Sequence, residues 1–109
     1  MRRLLPALLV AFLLPTGAAL TQAQAAGKTH TVRIEGMKFM PERIEVAAGD
    51  TIVWTNKDFL PHSVTAAQAK VESGDLAQDK SFKFVARNKG EMKYVCRLHP
   101  VMQGVVVVK

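Results

Sequence analysis

Cys96 is the one cysteine among 109 residues, and this single thiol limits the chain more than any other residue. It forbids an intrachain disulfide and any zinc site built from several cysteines. The three histidines, His30, His62 and His99, are too few for a large cluster of imidazole-bound metals. A domain of about 80–100 residues buries only about 60–65% of its unfolded surface, and small domains are often helped by a disulfide or a metal. With no disulfide available, a metal is a fair expectation before any motif is read.

Residues 1–25 read as a targeting leader and not as part of the fold. Arg2 and Arg3 give a positive start, and residues 4–20 form an apolar run interrupted by Pro6, Pro15 and Gly17. Ala23-Gln24-Ala25 offers small residues where a signal peptidase reads, so cleavage is expected after Ala25. The expected location is the periplasm, with no membrane anchor left after cleavage and with residues 26–109 as the functional domain. The Arg pair alone does not separate the general secretory route from the twin-arginine route.

The rest of the chain alternates in short stretches. Strands are predicted over 31–35, 43–46, 51–56, 62–66, 81–85, 92–96 and 105–108. In these, Val32 and Ile34 share a face, as do Ile52, Trp54 and Asn56, and Met92, Tyr94 and Cys96. The run Val105 to Val108 suits a strand buried on both sides. Turn signals at Ala48-Gly49-Asp50 and Asn88-Lys89-Gly90 separate the strands. Residues 67–80 fit either a loop or one short helix. About seven strands at this spacing predict an all-β, antiparallel sandwich or barrel. Met37, Met40 and Met92 are expected in the core and His30 in solvent.

The chemistry lies near the C-terminus. Cys96, His99 and Met102 place a thiolate, an imidazole and a thioether three residues apart, on what reads as one connection between strands. His62 supplies a second imidazole 34 residues upstream. Taken singly, a cysteine is most often a small buried hydrophobe and a methionine a core residue. An unpaired thiol in an oxidising compartment, however, is a liability unless it is buried or ligated. Two His, one Cys and one Met form the donor set of a blue-copper site, with three equatorial donors and a long axial thioether. Thiolate and thioether favour Cu(I), imidazole suits both oxidation states, and zinc prefers a set without thioether. One copper ion, cycling between Cu(I) and Cu(II), is the expected cofactor.

At these residues the chain resembles the cupredoxin family of type 1 blue copper proteins. It is most similar to the amicyanin-like branch, with plastocyanin and pseudoazurin more distant. The resemblance runs from Met37 to Lys109. It rests on Phe39-Met40-Pro41, Gly49-Asp50-Thr51, Trp54-Thr55-Asn56, Pro61-His62-Ser63-Val64 and the stretch from Tyr94 to Met102. The two-residue gap between His99 and Met102 is the amicyanin spacing. The resemblance implies a Greek-key β-sandwich that carries single electrons. It also implies His62, Cys96 and His99 as equatorial ligands with Met102 axial. Asn56 and Pro61 would lie just behind the ligands, the Asn56 backbone N–H donating to the Cys96 sulfur and its side chain tying the two ligand loops together.

In that family the C-terminal histidine ligand lies near the surface in an apolar patch. Here its collar would be Phe59, Leu60, Leu98, Pro100 and Val101, ringed by Lys57, Arg97 and Lys93. Such a ring would favour an acidic partner surface, with association slowing as salt rises. The implied partners are redox proteins such as c-type cytochromes or a periplasmic dehydrogenase, met by a monomer. Nucleic acid is not expected, because no basic stripe with interleaved aromatics appears. A diffusible electron carrier is the leading reading, and a copper-trafficking or copper-resistance module without a redox partner is the alternative. An enzyme is not expected, since only His30 remains as a spare imidazole.

Overall fold

The computed structural model of the protein describes residues 2–14, 17 and 27–109. The expected cleavage site at Ala23-Gln24-Ala25 lies outside them. Residues 2–14 form neither helix nor strand, and the side chains of Leu4, Leu9 and Leu13 are more than 90% exposed. Among the described residues, no helix is long and apolar enough to cross a membrane.

Nine strands follow: β1 (Thr29–Ile34), β2 (Phe39–Met40), β3 (Arg43–Val46), β4 (Thr51–Asn56), β5 (Thr65–Ala66), β6 (Val71–Glu72), β7 (Ser81–Val85), β8 (Gly90–Cys96) and β9 (His99–Val108). They form two mixed sheets, ordered β2-β1-β4-β7 and β3-β9-β8-β5-β6, packed as a Greek-key sandwich. β1 runs parallel to β4 and β3 parallel to β9; the remaining pairs are antiparallel.

Alternation explains which residues meet between the sheets. On β4, Ile52, Trp54 and Asn56 all point inward, and Val32 and Ile34 of β1 lie beside them in register. Tyr94, Cys96, Met102, Val106 and Val108 close the core from the other sheet. The Tyr94 ring is held edge-on by Phe39 (centroids 4.7 Å apart) and by Trp54 (5.4 Å). Burial pushes the Tyr94 hydroxyl up to about 12.

Several expectations change. Among the described residues there are nine strands and not about seven, because β2, β5 and β6 are two-residue pieces too short to show alternation. The strand expected over 62–66 shrinks to β5, and His62 instead makes a single bridge to Leu76. Residues 67–80 hold a 3-10 turn at Ala67–Ala69 and strand β6. Val105 to Val108 is not buried on both sides: Val106 and Val108 face the core while Val105 and Val107 are half-buried, since β9 has one face toward solvent. Met37 and Met40 are exposed by 38% and 41%, not core. They belong to the reversal from β1 to β2, where Gly36 and Met37 both adopt positive φ and the chain turns outward.

His30 is also not simply solvated. Its Nε2 lies 2.9 Å from Asp50 Oδ2, and Asp50 further accepts the backbone N–H groups of Lys28 and Ala47. The cluster clasps the start of β1 to the turn before β4. The hydrogen bond from His30, then that from Ala47, hold the Asp50 carboxyl below its ordinary value against the opposing effect of burial. A depressed carboxyl stabilises the fold above its unfolded pKa of about 3.9, and that contribution is lost as pH falls through the folded value. Asp50→Asn should therefore lower the melting temperature at pH 6 and converge on the wild type as pH drops below about 4. Melting curves across that range check the prediction, and a gap that stays constant with pH would contradict it.

Candidate metal centre

The donor atoms converge at one end of the sandwich. Cys96 Sγ lies 3.6 Å from His62 Nδ1 and 3.7 Å from His99 Nδ1. All three donor atoms fall within 4.8 Å of one another. Bonds of about 2.0–2.3 Å meeting at about 110–120° place a sulfur and a nitrogen about 3.6–3.8 Å apart. The triangle thus has the right size for one transition-metal ion. His62 and Cys96 are fully buried, whereas His99 is half-buried, and the two imidazoles meet edge-on with centroids 5.2 Å apart.

Local structure places each donor. Cys96 ends β8 and His99 begins β9, so only Arg97 and Leu98 form the turn between them. The two ligands pair directly across the ladder, while Val95 already pairs with Gln103. Pro100, Val101 and Met102 are therefore extra residues on β9, a bulge of the kind that re-aims side chains beside functional sites. This corrects the reading of one loop between strands: Met102 belongs to β9, and its side chain is only 3% exposed. It lies in the same buried cluster as Cys96.

The residues supporting the donors also differ from expectation. The Asn56 backbone N–H donates to the Lys80 carbonyl, not to the Cys96 sulfur. Its side chain does brace loops: Nδ2 donates to the Leu60 and Leu76 carbonyls, and Oδ1 accepts the Asp58 N–H. These loops flank His62 and leave the Cys96 turn untouched. Pro61 is exposed.

Ser63 takes the place predicted for Asn56. Its backbone N–H donates to Cys96 Sγ at 3.3 Å, and its Oγ accepts the Arg97 N–H at 2.8 Å. One fully buried residue therefore ties the His62 segment to the Cys96 turn, and a hydrogen bond to sulfur favours the thiolate. Position alone separates the two candidates: Ser63 follows His62 directly, whereas Asn56 ends a different strand.

Asp58 was missed as well. Its Oδ2 lies 2.8 Å from His62 Nε2, and its two oxygens accept the N–H groups of Gly36 and Met37. With the proton on Nε2 and facing the carboxylate, Nδ1 keeps its lone pair toward Cys96, which is the tautomer a ligand requires. Burial pushes the Asp58 carboxyl up, but the hydrogen bonds from Met37, His62 and Gly36 outweigh it and bring it below its ordinary value. The signal in sequence was an acid four residues before a candidate ligand, a spacing with meaning only once the turn is known. Asp58→Ala should weaken metal affinity about 10–100-fold. A competition titration against a chelator measures this, and unchanged affinity would remove the orienting role.

The proposed collar is largely at the surface. Phe59 and Val101 are 87% and 89% exposed, Leu60 and Leu98 less so, and Pro100 is exposed. The charges behave differently. Lys57 pairs with Asp79, and Arg97 pairs with Asp75 at 2.6 Å and approaches Glu72. Two of the three cations expected to ring the patch, Lys57 and Arg97, are thus matched by carboxylates, whereas Lys93 lies on β8 and pairs with none among the described residues.

A two-sheet β sandwich with one buried cysteine sulfur and two imidazoles at its end has the donor set of a small class of metal-binding domains. The model of the Cupredoxin-like domain matches residues 4–108, and the chain belongs to that family. It is 33% identical over 93 residues to amicyanin-alpha of Methylorubrum extorquens, covering 81% of this chain and 77% of that protein. It is 31% identical over 97 residues to plastocyanin of Nostoc punctiforme, covering 84% and 70%. Among solved structures, a Cu(I) form of an amicyanin variant superposes with a TM-score of 0.72 at 28% identity, covering 80% of this chain and 88% of the other. A Cu-containing nitrite reductase from Thermus scotoductus superposes at 0.69 with 22% identity over 74% of this chain. This chain spans only 22% of that enzyme, and the likeness is one of fold.

Proposed function

We propose that this protein is a type 1 copper protein carrying single electrons between redox proteins in the periplasm. The observation that carries the reading is the triangle formed by the Cys96 sulfur and the His62 and His99 ring nitrogens. His62, Cys96, His99 and Met102 would hold the ion, the thioether being the weakest of the four donors. Copper bound there would supply a Cu(I)/Cu(II) couple, one electron accepted from a reduced donor protein and one passed to an oxidised acceptor.

The chain's own residues make such a couple fast by holding still. Asp58 fixes the His62 ring, Ser63 fixes the Cys96 sulfur, and the ladder fixes His99 against Cys96. Donors that cannot rearrange keep the reorganisation on electron transfer small. Half-buried His99, flanked by Leu98 and Pro100, is the point of closest approach for a partner. An apolar collar lets the partner exclude water across a modest area and still release. A closed donor set also leaves no open substrate position, which favours a carrier over an enzyme. The basic start and apolar run of residues 1–20 support export, with residues 26–109 as the mature domain.

The test is reversible one-electron chemistry. One equivalent of Cu(II) added to the purified protein should give an intense visible band that ascorbate bleaches and ferricyanide restores. Voltammetry should show one reversible wave, and a c-type cytochrome should exchange electrons with the reduced form. A pale complex, or loss of the metal on reduction, would overturn the reading. Rapid transfer of copper to an acceptor protein without electron exchange would favour the trafficking alternative.

A further inference from the structure

Among the described residues, Lys70, Lys83, Arg87, Lys89 and Lys93 form no ion pair and lie on or beside one groove whose lining includes none of the metal-centre donors; Lys28, Lys38 and Lys80 are also without one but lie elsewhere. β7 ends its sheet and pairs only with β4. β8 pairs with β9 along its length, but on its other side meets β5 only at Val95 and Thr65. Residues 90–94 of β8 therefore present a second open edge. Between these two edges runs a groove of about 860 Å³. Phe84, Val85, Met92 and Val95, all half-buried, make its apolar lining.

Arg87, Lys89 and Lys93 line the same groove. Lys83 lies on β7, and Lys70 caps the 3-10 turn whose residues form part of the wall. Among the described residues, none of these five cations forms an ion pair, in contrast to Lys57 and Arg97. The one acid in the lining, Glu91, faces Arg43 at 3.8 Å. Lysines on open edges discourage pairing with a second copy, because like charges would meet. The same charges attract an acidic strand.

We propose that this groove is a docking site for an extended acidic segment of a partner protein, in which carboxylates alternate with apolar residues. The segment adds to an open strand edge through main-chain hydrogen bonds. It places its apolar side chains against Phe84, Val85, Met92 and Val95, and its carboxylates against Arg87, Lys89 and Lys93. The alternation follows from the period of two along any added strand. The proposal rests on the fold and charge and does not depend on copper.

The probe is a seven-residue capped peptide alternating Glu with Val and Ile, titrated into the 15N-labelled protein. Amide shifts should be confined to residues 65–70 and 81–95, and binding should weaken as salt rises. Arg87→Glu combined with Lys89→Glu and Lys93→Glu should weaken binding at least tenfold. A dispersed spectrum confirms that this variant is folded, and the salt dependence of the unaltered protein provides a second measure if it is not. Four outcomes would overturn the proposal. They are equal binding of a peptide alternating Lys with Val and Ile, shifts centred on Phe59 and Val101, no binding at millimolar peptide, and the same shifts on raising protein concentration alone, which would make a second copy the occupant.

Discussion

Cys96→Ser should abolish the intense visible band of the copper-loaded protein and the thermal stabilisation that copper provides. The band requires a thiolate bound to copper, and a serine hydroxyl neither ionises near neutral pH nor offers a soft donor. The remaining donors, His62, His99 and Met102, lack an anionic ligand. A metal present at about 100 times its dissociation constant stabilises the native state by about 2.7 kcal/mol. For a domain of this size that corresponds to roughly 10–20 °C in melting temperature. The variant should lose this gain while its metal-free melting temperature stays close to that of the wild type, because serine fills nearly the same buried volume. Absorption spectra and melting curves with and without Cu(II) make the comparison. A variant that retains the band, or is still stabilised by copper to the same extent, would remove Cys96 from the centre.

Gly104→Ala should strongly destabilise the sandwich. Gly104 pairs with Tyr94 across the β8–β9 ladder, and a Cβ built on it runs into the Tyr94 ring at Cζ and Oη. The ring has nowhere to go, since Phe39 and Trp54 hold it edge-on from other directions and it is 1% exposed. Overpacking a rigid site costs about 3 kcal/mol at the upper end of its usual range. That is roughly 12–24 °C in melting temperature for a domain this small. In a Tyr94→Leu background, where the ring is gone, the same glycine substitution should cost much less. A thermal-melt double-mutant cycle reads the coupling directly. Equal costs in the two backgrounds would show that the ring is not what the glycine accommodates.

The part of the centre that could be read from the chain was the part built on local spacing. Cys96, His99 and Met102 are close in sequence, and their donor types limit the chemistry before any fold is known. His62 was readable because it stands on its own near a strand beside a proline. Strands β3, β4 and β7 were readable to the residue, because more and less buried positions alternate along β3, β4 and the first four residues of β7. The two-residue strands carry no such pattern and appear only when a neighbour supplies the ladder. The supporting residues stayed hidden for the same reason. Ser63 reaches Cys96 across 33 positions, and Asp58 collects the amides of Gly36 and Met37 from across 22 and 21. Asn56 is buried as its face predicted, yet its N–H goes to Lys80, because β4 ends there and the chain from 79 to 80 lies alongside.

Charge shows the division most clearly. Composition established a basic chain, and the resemblance placed its cations around the ligand patch. Tertiary packing reversed that placement by bringing Asp79 to Lys57 and Asp75 to Arg97, and it left Arg87, Lys89 and Lys93 unmatched beside an open edge. The sequence by itself determined which donors exist and that a chain of short alternating stretches folds as an all-β domain; the closure into two mixed sheets, with β1 parallel to β4 and β3 parallel to β9, came from tertiary pairing. Donor chemistry and strand period are local properties of residue type and spacing. Only the tertiary structure decided which neighbours orient those donors, that β9 bulges at Pro100 to Met102, and where the net charge faces. Each of these depends on contacts between segments that no short-range pattern brings together.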